Sequence, residues 1–440
     1  MIQLRNGLAC FAILTALGTS SCAAGPTAQT AADTQAAADT QAATAQTAAD
    51  TQKTADTQKT MAMASAGAIA FNDQRTLFVG DSKNGVVHAF ELTNDAFDDQ
   101  SGVSLGRAQT FEGTSLIEDI DLALGKLFGM APDQIVINDM VVHDATKQIF
   151  LSAHRGRGPD AEPAIVKVND GKLEVVDLTR AKHSVAKIGD VPTSQTLEFG
   201  QLQNMFAITD IDFFGGEVFV AGLSNGTFAS KLRRMVYPFD EKVSETSIEI
   251  WHAVHAQFET RAPIIAQDIQ VLNGEPTLIA VYACTPLVRI PLSALEDGAK
   301  VRGEMIGELG FGNTPIDIMT YLDPMDGNKY ILVTNTNRSA KRVALADVAS
   351  ADPMPVNAPN DFGPSGVNQY PIPISDAMHM DMVDGQWAVL VRRNPHDLTR
   401  TELHTLPLPF FFDRADHIVE MNWPNAPDPF GYRQGSDNDD

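Results

Sequence analysis

Cysteine is scarce in this chain, with three residues among 440. That number excludes a small scaffold held together by disulfides. The sequence also lacks the CxxCH and HExxH patterns, so nothing in it supports covalent haem attachment or a zincin-type zinc site. Gly156 and Gly158 are not followed by a helical pattern, as a phosphate-binding loop would require. We therefore expect neither haem nor a nucleotide as cofactor.

Positive charge is also in short supply. Lys and Arg total 32 against 56 Asp and Glu, and the formal net charge is −24. Nucleic acid and anionic lipid demand a basic surface, so neither is expected as the main partner. After the N-terminus no run reaches the roughly 18–20 apolar residues of a membrane span. The membrane attachment to consider is therefore a lipid anchor.

Residues 1–21 have the pattern of a signal peptide. Arg5 is followed by the apolar run Leu8–Leu17 and then by the small residues Gly18–Ser21. Cys22 comes next, and this arrangement resembles the lipobox of bacterial lipoproteins, although Thr19 stands where Leu is usual. The resemblance implies lipidation at Cys22 and a place on the periplasmic side of the cell envelope. Ordinary cleavage nearby is the alternative.

Residues 22–65 have the composition of a tether. The unit Ala-Asp-Thr-Gln recurs four times at irregular intervals, and aromatic and β-branched aliphatic residues are absent. Such a segment cannot bury a core, so it is predicted to be a disordered spacer. Residues 413–440 are predicted to be a polar, acidic C-terminal tail.

The body of the chain, 66–412, is predicted to be all-β. Helical periodicity is confined to Ser115–Met130; elsewhere short apolar runs alternate with turns of Gly, Asn, Asp and Pro. A similar strand pattern recurs over 68–92, 136–176, 206–251, 264–291, 315–344 and 377–407. Repeats at roughly 50–70 residues predict a β-propeller with six blades of up to four strands. A seventh blade would need Val103–Phe111 or the C-terminal tail, and two stacked β-sandwiches are the alternative fold.

Two segments, LFVGDSKNGVVHAFEL and INDMVVHDATKQIFLSAHRG, resemble blades of six-bladed propellers of the SMP-30/gluconolactonase and NHL types. The likeness is one of blade rhythm and covers roughly 66–410. It implies either a metal-dependent lactonase or a non-enzymatic binding module, since that group contains both. The Glu and Asn metal ligands of the lactonases have no residue-by-residue counterpart here.

The innermost strands of the repeats carry acidic residues in matching positions. These are Asp139, Asp210, Asp268 and Asp317, with His379 at the matching place in the last unit. Innermost strands of a propeller line a central channel, so the four carboxylates are expected to converge. Converging carboxylates repel one another and favour a cation. Ca²⁺ suits such oxygen ligands best, and His379 leaves Zn²⁺ or Mn²⁺ open. The alternative is structural, with each Asp bonding the neighbouring blade.

Polar loops are expected at one mouth of this channel. Candidate ligand-binding residues in them are Arg155, Arg157, Asn225, Asn337 and Arg392. Arginines gathered at one mouth would favour an anionic ligand or an acidic partner. The alternative is that each arginine is a surface residue or part of an ion pair.

Two further patterns are weaker. Gly222–Gly226 matches G-x-S-x-G, but a nucleophile elbow needs a following helix, and a strand follows here. His252 and His255 lie three apart at a strand end, so they are predicted to face opposite sides.

Two functions follow. The preferred one is an exported, lipid-anchored binding module, a monomer that takes a small anionic ligand or an envelope protein, with a bound divalent cation. The alternative is a metal-dependent lactonase- or esterase-like hydrolase. In that case His379 or His154 would be the acid–base residue.

Overall fold

The computed structural model describes residues 63–98, 113–169, 171–192, 197–198, 201–324, 326–356, 362–385 and 387–408. The predictions for the signal peptide, for Cys22, for most of the tether, for Val103–Phe111 and for the C-terminal tail lie outside these residues. The described part is all-β with a propeller-like arrangement of sheets. None of its helices is long and apolar enough to cross a membrane.

The described residues contain two α-helices, α1 (Ile120–Phe128) and α2 (Leu345–Ser350). The predicted helix between Ser115 and Met130 is confirmed by α1. Its N-terminus is capped by Asp119, whose side chain accepts a 2.9 Å hydrogen bond from the N–H of Leu122. Its C-terminus is Gly129, at φ +70°, a conformation that favours glycine.

Four sheets of four antiparallel strands are present. The first contains β1 (Ile69–Phe71), β2 (Thr76–Asp81), β3 (Val86–Glu91) and β9 (Lys182–Lys187). The second contains β5 (Ile135–His143), β6 (Gln148–Arg155), β7 (Glu162–Asn169) and β8 (Lys172–Val175). The third contains β21 (Pro315–Leu322), β22 (Lys329–Asn335), β23 (Ala340–Ala344) and β25 (Tyr370–Ile372). The fourth contains β26 (Ala377–Asp384), β27 (Trp387–Asn394), β28 (Asp397–Pro407) and β4 (Thr114–Ile117).

A larger sheet has ten strands. One group of four is β12 (Asp210–Phe214), β13 (Glu217–Leu223), β14 (Ser230–Val236) and β15 (Ser244–His252). The other is β17 (Ile264–Leu272), β18 (Glu275–Tyr282), β19 (Pro286–Pro291) and β20 (Lys300–Glu308). β15 and β20 pair in parallel, while β16 (Gln257–Glu259) pairs with β15 and β24 (Ser365–Gly366) with β20. The short strands β10 (Leu197–Glu198) and β11 (Gln201–Leu202) form a separate hairpin. Because the two groups merge, the count of six blades stays a prediction.

The second strand is the most deeply buried strand in every group except that of β26, where β28 is buried to a larger extent. Every residue of β2 and of β6 is buried, and the middle of each strand is apolar, with Leu77–Val79 in β2 and Ile149–Leu151 in β6. Phe78, Phe150 and Phe219 are completely buried on such strands. The clusters of Phe78 and Phe150 join apolar residues of different sheets, and that of Phe219 joins the two four-strand groups of the ten-stranded sheet. The core therefore lies between neighbouring groups of strands.

The strand that begins each group is called its first strand: β1, β5, β12, β17, β21 and β26. Neighbouring first strands contact one another in the closed order β1, β12, β17, β21, β26, β5 and back to β1. A propeller built strictly in chain order would place β5 between β1 and β12, whereas here β5 lies between β26 and β1. The early strand β4 completes the last sheet by pairing with β28, and β9 completes the first sheet by pairing with β3.

Candidate functional site

The predicted aspartates face one cavity at the centre of the first strands. Its volume is about 480 Å³. The aspartates that line it from the first strands are Asp139, Asp210, Asp212, Asp268, Asp317 and Asp381, and we call it the aspartate cavity. Alternation along a strand explains the arrangement, because residues two apart project from the same face.

Most of these carboxylates connect one first strand to the next. The bonds are Asp139 Oδ2 to Ile69 N (2.8 Å), Asp210 Oδ2 to Gln267 N (2.7 Å), Asp317 Oδ2 to Met380 N (2.7 Å) and Asp268 Oδ2 to Thr320 Oγ1. In each the carboxylate accepts the hydrogen bond. The other oxygen of Asp139, Asp210 and Asp317 accepts from the N–H of the next residue on its own strand. This geometry matches the structural alternative, in which each Asp bonds the neighbouring blade.

Sequence reasoning missed two members of the set, Asp212 and Asp381. Asp212 Oδ2 accepts from the N–H of Ile269 at 3.1 Å, and Asp381 Oδ2 accepts from the N–H of Val142 at 2.6 Å. Each lies two residues after a residue that was selected. The period-2 alternation of a strand was the signal that could have found both.

Burial raises the pKa of the aspartates in this cavity. The pKa of Asp139 and the pKa of Asp212 both rise to about 7, and that of Asp381 to about 6. The pKa of Asp210 is raised well above its usual range, first by burial and then by the charge of Asp139. Asp139 and Asp212 therefore titrate near neutral pH, and the charges of neighbouring carboxyls couple the titration of this group.

His379 lies beside this group. Its Nδ1 is 3.6 Å from Oδ1 of Asp139, and burial lowers its pKa to about 4. At neutral pH it is a neutral imidazole next to a carboxyl that titrates near 7. Two neighbouring groups with pKa values pushed apart suit acid–base chemistry.

The cavity offers ligands for a hard cation. Carboxylate oxygens are the donors that Ca²⁺ and Mg²⁺ prefer. Within the described residues no three of these carboxylates bring oxygen atoms within 4.8 Å of one another. The volume of the cavity exceeds that of an ion with its water shell. A hydrated ion held through its waters would fit while the backbone hydrogen bonds stay in place.

The residues predicted to bind an anionic ligand lie elsewhere. None of Arg155, Arg157, Asn225, Asn337 and Arg392 lines the aspartate cavity. Arg155 pairs with Glu162 at 2.5 Å, and Arg392 Nε pairs with Glu402 at 2.9 Å. Arg157 Nε donates to the carbonyl of Asp133, Asn337 Nδ2 donates to that of Gly312, and Asn225 is exposed. The ion-pair alternative holds for Arg155 and Arg392, and anion binding by this set stays a prediction.

The second acid–base candidate, His154, lines a different cavity of about 250 Å³. Its Nε2 accepts a 3.1 Å hydrogen bond from the backbone N–H of Ala66. Burial first, and then the charge of Lys83, lower its pKa to about 4. His154 and His379 are therefore not brought together in one site.

The G-x-S-x-G match is a turn, as expected. Ser224 is completely buried after β13, and its hydroxyl accepts a 3.4 Å hydrogen bond from the N–H of Gly226. Strand β14 follows instead of a helix. The geometry of a nucleophile elbow is therefore absent from this described segment.

No family model and no curated protein matches the chain. Similar solved structures include a luciferin-regenerating enzyme, at 9% identity over 78% of this chain and 90% of that one, with a TM-score of 0.30. An arabinanase of Bacillus subtilis is 13% identical over 61% and 92%, with a TM-score of 0.33, and hydrazine synthase of Kuenenia stuttgartiensis is 14% identical over 81% and 80%, also at 0.33. Similarity this low bears on neither activity nor ligand, and the likeness to SMP-30/gluconolactonase and NHL-type propellers stays a prediction.

Proposed function

We propose that this chain is an exported, lipid-anchored binding module whose propeller-like domain holds a divalent cation, and through it a small ligand, in the aspartate cavity. One observation carries the proposal. Eight of the residues that line the cavity are aspartates, and no Lys or Arg is among the described residues that line it.

The domain is proposed to have six blades. The two groups of four strands in the ten-stranded sheet would then be separate blades joined at their outer edges by β15 and β20. The closed succession of first strands supports this count. Radial closure would also protect the strand edges that an open sheet exposes.

A cation would relieve the repulsion among the buried carboxyls. The pKa of Asp139 and that of Asp212 are both raised to about 7, because burial disfavours the charged form of each carboxyl. A divalent ion in the cavity would favour the charged form, release protons and stabilise the fold. Its remaining coordination positions would accept oxygen atoms of a small anionic ligand, or of an acidic side chain of an envelope protein.

Calorimetric titration of the purified chain with Ca²⁺, and in parallel with Mg²⁺, tests the proposal. We expect saturable binding of one ion at pH 7.5 with release of protons, a higher melting temperature, and weaker binding at pH 5.5, where the carboxyls are protonated. Asp212→Asn should weaken binding at least tenfold. Asp352→Asn, which changes an exposed aspartate outside the cavity, should leave binding unchanged.

Absence of saturable binding at pH 7.5 would overturn the cation site. Equal affinity of the Asp212→Asn and Asp352→Asn proteins would do the same. The anchor is tested separately: Cys22→Ser should move the protein from the membrane fraction to the soluble fraction, and unchanged fractionation would refute lipidation.

A metal-dependent hydrolase is the second candidate, and His379 is the observation that favours it. A neutral imidazole lies 3.6 Å from Asp139, whose pKa is about 7. Such a pair could move a proton while a bound ion polarises a carbonyl. Lactones and esters should then be hydrolysed only in the presence of the ion, and His379→Gln should abolish turnover without releasing the ion.

A further inference from the structure

A second group of metal-ligating side chains lies outside the aspartate cavity. His252 ends β15, His255 lies in the turn that leads to β16, and Cys284 lies in the turn between β18 and β19. The prediction that the two histidines face opposite sides was wrong. The strand ends at His252 and the chain reverses over the next four residues, which brings the two ring centroids to 4.0 Å.

We propose that His252, His255 and Cys284 bind a borderline-soft divalent metal ion, with Zn²⁺ as the best fit. One ligating atom of each residue lies within 4.8 Å of those of the other two. Zn–N bonds of about 2.0 Å and Zn–S bonds of about 2.3 Å place tetrahedral ligands roughly 3.5 Å apart. A contraction of about 1 Å would therefore close the site. The side chain of His255 can make this movement, because it is 41% exposed and lies on a turn.

One carboxylate orients both imidazoles. Glu259 meets Nδ1 of His252 at 3.0 Å through Oε2 and Nδ1 of His255 at 2.6 Å through Oε1. Histidines that bind a metal ordinarily use one ring nitrogen for the ion and donate the other N–H to a carboxylate. With both Nδ1 atoms held by Glu259, Nε2 of each ring is the nitrogen that would bind the ion. In His252 the ion would take the place of a 3.4 Å contact between Nε2 and the hydroxyl of Thr285.

The surroundings favour a cation at this place. Glu308 is 2% exposed and pairs across β19 and β20 with Pro286, two residues from Cys284. Together with Glu259 it puts two acidic groups close to the three ligands. A thiolate and two imidazoles select Zn²⁺ over Ca²⁺ or Mg²⁺, so this site would not compete with the aspartate cavity for the same ion.

The site would keep one coordination position open. Three protein ligands leave the fourth tetrahedral position for water or an incoming group. Cys284 is partly exposed and His255 is 41% exposed, so this position would be reached from solvent. That arrangement suits an exchangeable ligand better than a closed structural zinc site.

Cobalt substitution tests the proposal, using the full chain with Cys10→Ser and Cys22→Ser so that Cys284 is the one thiol. After treatment with a chelator, Co²⁺ is added and the thiolate-to-cobalt charge-transfer absorption is recorded. We expect one equivalent of Co²⁺ to saturate the band, Zn²⁺ to abolish it, and a hundredfold excess of Ca²⁺ to leave it unchanged. Insensitivity of the band to Ca²⁺ distinguishes this site from the aspartate cavity. The Asp212→Asn substitution makes the same distinction, since it should leave the band intact.

Variants identify the ligands. Cys284→Ser should abolish the band, and His255→Gln should weaken Co²⁺ binding at least tenfold. His396→Gln, at an exposed turn histidine outside the cluster, is the matched control and should have no effect. If circular dichroism shows that Cys284→Ser is unfolded, the comparison of His255→Gln with His396→Gln decides whether the site binds the ion. Cobalt bound without the band, or a band of equal strength in His255→Gln and His396→Gln, would overturn the site.

Discussion

The carboxylate of Asp381 accepts a 2.6 Å hydrogen bond from the backbone N–H of Val142, a residue 239 positions earlier in the chain. The bond joins β26 to β5, so it connects a first strand near the end of the described chain to one near its start. The other oxygen of Asp381 accepts the N–H of Met382, also at 2.6 Å. Both oxygens of this side chain are thus matched to backbone donors.

Asp381→Asn should therefore destabilise the fold. The amide group would set its own N–H against the N–H of either Val142 or Met382 and leave a buried donor without an acceptor. We expect a loss of about 1–3 kcal/mol in the free energy of unfolding, measured by urea denaturation without added metal. Asp352→Asn, at an exposed position, is the control. Equal stability of the two proteins would show that the cross-strand bond contributes nothing.

Stability should fall between pH 6.5 and pH 8 in metal-free protein. The raised pKa values of Asp139, Asp212 and Asp381, about 7, 7 and 6, mean that the folded state binds protons more tightly than the unfolded chain. These three carboxyls contribute their full stabilisation below pH 3.8, which is their pKa in the unfolded chain. That stabilisation is lost as the pH rises through their pKa values in the folded state. His154 and His379, with pKa values lowered to about 4, act in the opposite direction, but only up to their unfolded value of 6.5.

Denaturation curves at pH 6.5 and pH 8 check this expectation. Asp139→Asn removes one titrating group, so it should reduce the difference between the two pH values. Ca²⁺ should raise stability more at pH 8 than at pH 6.5 if the aspartate cavity holds it. Constant or rising stability over this range would contradict the raised pKa values.

Arg392→Gln should lower stability and leave Ca²⁺ binding unchanged. The Arg392 guanidinium bonds Glu402 at 2.9 Å, and the Glu402 side chain is 4% exposed. The substitution would remove the arginine charge from this buried carboxylate and leave it the longer contacts to Asn394 Nδ2 (3.4 Å) and His404 Nδ1 (3.6 Å). We expect a loss of about 2–4 kcal/mol in the free energy of unfolding. The neighbouring exposed residue supplies the control, Arg393→Gln. Weaker ligand binding without a change in stability would instead revive the prediction that Arg392 lies in a ligand site.

Gly222→Ala should be strongly destabilising, whereas Gly226→Ala should not. A Cβ on Gly222 would lie 2.1 Å from the backbone oxygen of Ala207, so a strand or the adjoining segment would have to move. At Gly226 the nearest atom would be 3.6 Å away, the hydroxyl oxygen of Ser224. We expect a loss of about 2–3 kcal/mol for the first substitution, measured by thermal or urea unfolding. Equal effects at the two positions would contradict the tight packing of β13.

Much of the local structure was predictable because its signals are local. The spacing of Ile120, Leu124 and Phe128 predicts α1, and all three are buried there. Alternation along the first strands predicts that Asp139 and Asp210 face a common centre, and the structure places both in the aspartate cavity. Asp381 was missed because matching the last unit by its distance to Trp387 selected His379. That distance is unreliable, since the pairing of β26 with β27 shifts register between Ala377 and His379 and again between Met382 and Asp384.

The sequence by itself determined the strand-rich character of the described residues between 66 and 408 and the face on which each first strand carries its aspartates, because both follow from a period of two along the backbone. Only the tertiary structure decided which strands become neighbours: β4 with β28, β9 with β3, and β5 between β26 and β1. It also brought Cys284 to His252 and His255, across a turn that no spacing pattern marked. These choices depend on contacts between residues far apart in the chain, whose free energies come from packing and burial in three dimensions.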